Sequence, residues 1–149
     1  MSIFLDIKKN ITYNEYIVDA EKAENMKLIK LKDFNRIYSV STLLKEFRSL
    51  FGKSKSDYED YLEKERYYLR ILDTVGIAKA LHYQQFEKLE NEELYSIRYV
   101  SKHNPRILFA VYEDDVFILL SCCDENKTSD YKGAIELAKG RLKELRDGK

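Results

Sequence analysis

Between Leu94 and Leu145 the chain reads as three β-rich runs, two short polar turns and a closing amphipathic helix. Tyr95–Val100, Ile107–Tyr112 and Val116–Leu120 are dominated by β-branched and aromatic residues, which suit a pleated, half-buried surface. Ser101-Lys102-His103-Asn104-Pro105 forms the first turn, with Pro105 just before the next strand, where a missing N–H is tolerated. Asp114-Asp115 marks the second turn. Runs joined so closely pair as antiparallel neighbours. Ser129 or Asp130 is placed to cap the last helix, whose apolar stripe is Ile135, Ala138, Leu142 and Leu145.

Upstream, Ser41–Phe51 carries Leu43, Leu44, Phe47, Leu50 and Phe51 on one helical stripe, stopped by Gly52. Ser56 and Glu59 have the spacing of a capping box for a second helix. That helix presents Tyr58, Tyr61, Leu62, Leu69, Leu72 and Val75 on a broad face and ends at Gly76. The short connection predicts a helical hairpin packed on one side of the sheet. The run Glu63-Lys64-Glu65-Arg66 reads as a solvated face. Ile77–Glu93 reads as a connector, with room for a further helical turn around Ala78–Tyr83. Met26–Leu31 mixes lysine with leucine and isoleucine, as an edge strand does. Nearer the start, Thr12 and Glu15 have capping-box spacing and Tyr13, Tyr16, Ile17 and Ala20 share a helical face, yet the same letters suit a strand. The expected class is α+β: an N-terminal helical hairpin packed on a small antiparallel sheet, followed by a C-terminal helix. Residues 1–40 are an N-terminal extension or a divergent first strand, and 41–149 the main domain.

A chain of 149 residues suits one domain with a single sizeable core. No apolar run approaches the roughly 20 residues needed to span a bilayer. Met-Ser-Ile-Phe-Leu-Asp is charged too early for a signal peptide, so a cytoplasmic location is expected. The 26 Lys and Arg balance 26 Asp and Glu, so any surface that binds nucleic acid must be local. Cys122 and Cys123 are adjacent in a strand and point to opposite faces, which suits two buried thiols better than a disulfide. His82 and His103 supply no metal-ligand spacing, and no Gly-rich phosphate or dinucleotide loop and no Gly-x-Ser-x-Gly elbow is present. Neither metal nor cofactor is expected.

With a two-residue turn at Asp114-Asp115, Glu113 faces Val116, Val111 faces Ile118 and Arg106 faces Cys123. A regular first hairpin then sets Arg98 beside Arg106. Directly opposed side chains share a face. Arg98, Arg106, Leu108, Tyr112, Ser121 and Cys123 therefore occupy one face, and Ile97, Ile107, Phe109, Val111, Ile118 and Leu120 the other, more apolar one. Two arginines beside a loop bearing Glu125 and Lys127 fit a phosphate site, because guanidinium forks match phosphate oxygens. Surface arginines in cross-strand ion pairs fit the same spacing.

The segments Leu94-Tyr95-Ser96-Ile97-Arg98, Arg106-Ile107-Leu108-Phe109, Val116-Phe117-Ile118-Leu119-Leu120 and Asp130-Tyr131-x-x-Ala134-Ile135-x-x-Ala138-x-x-Arg141 stand in an order that resembles the RelE/HigB toxin superfamily of type II toxin–antitoxin systems, and within it a phage-derived branch. The resemblance covers roughly residues 40 to 147. It implies a RelE-like fold and ribosome-dependent mRNA cleavage that inhibits translation, silenced by a cognate antitoxin, a small helix-turn-helix protein from a neighbouring gene. The implied chemistry is metal-independent attack of a ribose 2′-OH on the adjacent phosphate, which needs a base, donors for the phosphorane charge and an acid. Arg98 and Arg106 match the family's phosphate-holding positions, and Tyr131 matches an aromatic used in catalysis or base stacking. After the last strand, where many relatives carry a basic pair, this chain reads Cys123-Asp124-Glu125-Asn126-Lys127. Glu125 is then a candidate base and Lys127 a charge-stabilising residue, with Lys102, His103 and Lys132 as RNA contacts.

Two other readings belong to the same fold: a nuclease-impaired protein acting by protein–protein binding, and a gyrase-targeting ParE-like toxin. Fold alone does not choose between them.

Overall fold

A computed structural model describes residues 27–99, 104–112, 115–124 and 128–147, without the side chains of 128 and 129. The expected capping box at Thr12 and Glu15, most of the turn Ser101–Pro105, and Glu113 and Asp114 lie outside these bounds, whereas Ser129 and Asp130 stand within the last helix, Thr128–Asp147, instead of capping it.

The element order is β1 (Leu28–Lys30), β2 (Ile37–Val40), α1 (Leu43–Ser49), α2 (Lys55–Ala80), β3 (Phe86–Lys88), β4 (Tyr95–Arg98), β5 (Pro105–Tyr112), β6 (Val116–Asp124) and α3 (Thr128–Asp147). The strands form one sheet in the order β1-β2-β6-β5-β4-β3. The mixed α and β character agrees with the sequence, and so does the meander β4–β5–β6 followed by a helix. Two expectations are corrected. The helices do not form an N-terminal hairpin, because β1 and β2 precede them. The sheet is not wholly antiparallel, because β2 lies parallel to β6, pairing Ile37 with Phe117 and Ser39 with Leu119. β1 holds the edge expected for Met26–Leu31, and residues 28–40 supply two strands of this same sheet. β3, at the opposite edge, lies in the segment read as a connector.

Helix boundaries move for local reasons. Ser54, two residues before the expected cap, holds α2: its hydroxyl accepts from the Asp57 N–H at 3.3 Å. The chain does leave helical geometry at Gly76, with φ 83° and ψ 173°, then resumes a turn to Ala80. At Gly52, φ of 59° turns the chain between α1 and α2.

The β5–β6 hairpin contains two departures that cancel. Tyr112 pairs with Val116, so three residues, not two, make the turn. Asp115 closes it with φ 53°, the left-handed residue that three-residue hairpin loops use. The register is consequently one step off the expected one from Phe109 to Tyr112, and Val111 faces Phe117 instead of Ile118. A bulge then adds Leu120 to β6 between Leu119, which faces Phe109, and Ser121, which faces Leu108. Beyond it Arg106 faces Cys123, as expected. The Leu120 carbonyl accepts from Arg141 Nη1 at 2.7 Å, and Arg141 also pairs with Glu46 at 2.6 Å, so the bulge is tied to α1 and α3.

Both sheet faces are covered, which is why β5 and β6 read as continuous apolar runs. On one face, Tyr68 of α2 meets Phe86 at 6.2 Å and Tyr99 at 5.5 Å, and Phe109 extends the cluster to Phe117. Against the other face lies α3: Ser121 donates to the Ala134 carbonyl at 2.8 Å. That second face carries Arg106, so the arginine-bearing side is roofed by a helix. Neither Cys122 nor Cys123 is in a disulfide, and burial pushes the Cys122 thiol far above its usual range.

Glu65 departs from the solvated run assigned to it. It is 8% exposed, between Tyr61 and Tyr68 along one side of α2 and close enough to Tyr99 to raise that phenol's pKa further. Burial raises its carboxyl to about 7, with Arg66 pulling the other way.

Two predictions come from this packing. A methyl group at Gly76 would lie 2.5 Å from Asp115 Oδ2, and Asp115 is held by the Ile77 N–H at 3.3 Å and by Arg36 at 3.8 Å. Gly76→Ala should therefore lower stability in urea melts by about 1–3 kcal/mol from backbone strain alone. Gly140→Ala, within α3 and with open space around it, should raise stability by roughly 0.5–1 kcal/mol. Equal effects at the two positions would contradict the geometry. The second prediction concerns Glu65. A carboxyl raised in the folded state stabilises below its ordinary range, and that contribution is lost as pH climbs through about 7. The shift from 4.5 to about 7 corresponds to about 3 kcal/mol. Glu65→Gln should therefore gain on the wild type by up to that amount between pH 5 and pH 8.5. A constant difference across the window would show that Glu65 does not titrate there.

Candidate functional site

The two arginines singled out by spacing are neighbours. β4 and β5 pair Arg98 with Arg106 directly. Like charges opposed in this way repel unless something offsets them. For Arg106 the offset is Glu87 of β3, whose Oε1 lies 3.1 Å from Arg106 Nη1. The register explains the approach: Glu87 faces Ser96, and Arg98 lies two residues along β4 on the same side, so Glu87 reaches Arg106 diagonally across β4.

The third member comes from above the sheet. Arg106 Nη1 donates to the Tyr131 hydroxyl at 2.7 Å, and the guanidinium carbon lies 4.5 Å from the centre of the Tyr131 ring. Tyr131 sits in the first turn of α3, which presents it beside Ala134 and Ala138 on the sheet-facing side. One nitrogen thus joins a strand-edge carboxylate, a mid-sheet guanidinium and a helix phenol.

Exposure divides their roles. The Arg106 side chain is 8% exposed and that of Glu87 53% exposed. Arg106 is therefore a fixed, largely desolvated charge, and Glu87 carries the cluster to the surface. Burial raises the Tyr131 phenol above its usual value, with Arg106 opposing the rise. The phenol is neutral at physiological pH and keeps its proton. Because its oxygen accepts from Arg106, the O–H is polarised and is a better donor to a third group. The cluster offers a carboxylate that can take a proton, a cation, and a hydroxyl that can give one.

Of the residues proposed from sequence, the structure pairs Arg98 with Arg106 in register and sets Tyr131 of α3 against Arg106. Arg98 is exposed at the edge of a cleft between α2 and the start of β3. Lys132 is exposed on α3. Lys102, His103, Glu125 and Lys127 lie outside the described residues. Asp124 faces Pro105 at the end of β6. Glu87 was missed because Phe86-Glu87-Lys88 is only three residues long, too short for alternation to emerge from a polar segment. The signal available was the aromatic Phe86 directly before it, a residue that favours strands. Among the described residues no group of His, Cys, Asp and Glu is arranged to hold a metal ion, and no helix is long and apolar enough to cross a membrane.

Compared with known protein families and with curated proteins, the chain matches none.

Proposed function

We propose that the chain is a ribosome-dependent endoribonuclease of the type II toxin class, the activity implied by its resemblance to RelE/HigB toxins, and that Glu87, Arg106 and Tyr131 form its reacting centre. The carrying observation is the convergence of a half-exposed carboxylate and a neutral phenol on one nitrogen of a buried arginine. Phosphoryl transfer from a ribose 2′-OH calls for these three functions. The Glu87 carboxylate takes the proton of the 2′-OH as the bond from O2′ to phosphorus forms. Arg106 stabilises the charge that accumulates on the non-bridging oxygens, and being already desolvated it needs no reorganisation to do so. Tyr131 gives its proton to O5′ as the bond from phosphorus to O5′ breaks. The products are a 2′,3′-cyclic phosphate and a 5′-hydroxyl, and exchange with water restores both side chains. Arg98, opposite Arg106, adds a second cation for the backbone.

In this reading the partner is an antitoxin that silences the centre. Because Arg106 is buried and Arg98 is exposed, an acidic antitoxin segment reaches Arg98 first, and Arg98→Glu should weaken co-purification with the product of an adjacent helix-turn-helix gene more than Arg106→Lys does.

The activity test is cleavage of ribosome-bound mRNA by wild type and by variants that keep the fold. Glu87→Gln should slow cleavage by roughly 100–10,000-fold, as loss of a general base does. Arg106→Lys, which keeps the charge but not the fork, and Arg98→Ala should each cost roughly 100-fold. Tyr131→Phe keeps the ring over Arg106, so a loss above tenfold assigns the proton to its hydroxyl. If the wild type cuts and Glu87→Gln cuts as fast, the centre lies elsewhere. If the wild type leaves mRNA intact while binding its antitoxin, the protein acts by binding alone.

A further inference from the structure

A second feature lies on the other side of the same sheet edge. A cleft of about 910 Å³ opens between α2 and the chain entering β3, lined by Lys64, Tyr67, Tyr68, Gln84, Gln85 and Arg98. Its acids, Asp60 and Glu63, balance Lys64 and Arg98, so it is not built to collect phosphate charge. What it offers is flat aromatic surface and amides. Tyr67 is 61% exposed, an unusual state for a tyrosine on a helix whose other tyrosines pack inward, and its ring stands edge-on to Tyr68 at 5.2 Å. The Lys64 ammonium stands over the Tyr61 ring, 4.8 Å from its centre.

The position ties the cleft to the reacting centre. Arg98 lines the cleft and is paired across the sheet with Arg106. The Gln85 carbonyl accepts from the Arg98 N–H at 2.8 Å, fixing the start of β3 against β4. Gln85 and Glu87 are two residues apart on that edge, about 7 Å in extended chain. In the ribonuclease reading, a strand of RNA with a phosphate at Glu87 and Arg106 runs its next nucleotide toward the Gln85 end of that edge.

We propose that this cleft holds the base of the nucleotide flanking the scissile phosphate, stacked on Tyr67 and read by the Gln84 and Gln85 amides. The assignment rests on the ribonuclease reading for its register, but the chemistry of the cleft stands on its own: a neutral, planar, hydrogen-bonding ligand fits where a phosphate does not. Base–aromatic stacking is sequence-tolerant, and amide side chains pairing with base edges supply the preference.

The test uses the full chain labelled with nitrogen-15 and titrated with the four ribonucleoside 5′-monophosphates, with inorganic phosphate as control. The mononucleotides should shift the Gln84 and Gln85 side-chain amide signals, phosphate should not, and Tyr67→Ala should weaken the response about tenfold or more. Tyr67 is exposed, so that variant keeps the fold. In mapped transcript ends, Tyr67→Ala and Gln85→Ala should change which nucleotide flanks the cut more than they change how often the chain cuts. Equal shifts from phosphate, no shift at Gln84 and Gln85, or cleavage with unchanged preference in both variants would each overturn the base site. Loss of a protein partner on Tyr67→Ala with no nucleotide response would overturn it too, and assign the cleft to protein binding. The two proposals fail separately. Nucleotide binding at the cleft by a wild type that never cuts RNA sinks the nuclease and leaves the base site. Cleavage abolished by Glu87→Gln but indifferent to Tyr67 and Gln85 does the reverse.

Discussion

A buried arginine without a partner is among the least tolerable features a fold can contain, and Arg106 sets that condition at the middle of this sheet. Its side chain is 8% exposed, and three elements remote in sequence contribute to keeping it there: β5 carries it, β3 supplies Glu87 and α3 supplies Tyr131. Because burial of the charge depends on Glu87, the short edge strand is held in register by more than its three residues of backbone pairing. Because it also depends on Tyr131, the last helix is fixed across the sheet at its N-terminal turn as well as by the apolar row of Ala134, Ala138 and Leu142. Removing either partner leaves a charge that water does not reach, so loss of one is felt as loss of position in the other two.

The same economy explains why the cluster suits proton transfer. A guanidinium that donates both to a carboxylate and to a phenol holds them at a fixed separation and polarises each. Glu87 remains half exposed, so the cluster is sealed on the protein side and open on one other. The opposite face of the sheet is a different environment. There the aromatic residues of α2 and the sheet close over Glu65, and burial outweighs Arg66 in raising its carboxyl. Two carboxylates thus differ in character through packing: Glu87 is paired with a cation at the surface, and Glu65 is buried beside aromatic rings.

Much of the meander was legible in the sequence because β-branched and aromatic runs broken by short polar turns have few arrangements. The pairing of Arg98 with Arg106, and of Arg106 with Cys123, followed from counting residues. The second of these came out right for a reason the sequence does not display: one extra residue in the turn at Asp115 is absorbed by one extra residue, Leu120, in β6. The intervening pairs, from Phe109 to Tyr112, betray the shift. Other elements were hidden by their size or surroundings. β2 has four residues, all buried, and reads equally well as the approach to α1. β3 has three residues, two of them charged, and exists because β4 and Arg106 hold it. With β3 hidden, Glu87 could not be placed, and the acid opposite the arginines was sought instead at Glu125. The helix over the arginine face was not legible, because the sequence gives α3 an apolar stripe without saying which face of the sheet receives it.

The central claim is that Glu87, Arg106 and Tyr131 act together on the 2′-OH, the phosphate and the leaving oxygen of one RNA linkage. The most direct test is the chemistry of the cut ends: mass spectrometry of a ribosome-bound mRNA after exposure to the wild-type chain. The account predicts an upstream fragment ending in a 2′,3′-cyclic phosphate and a downstream fragment beginning with a 5′-hydroxyl, also in the presence of a chelator. Fragments ending in a 3′-hydroxyl and beginning with a 5′-phosphate would contradict it, because water and not the ribose would then have attacked.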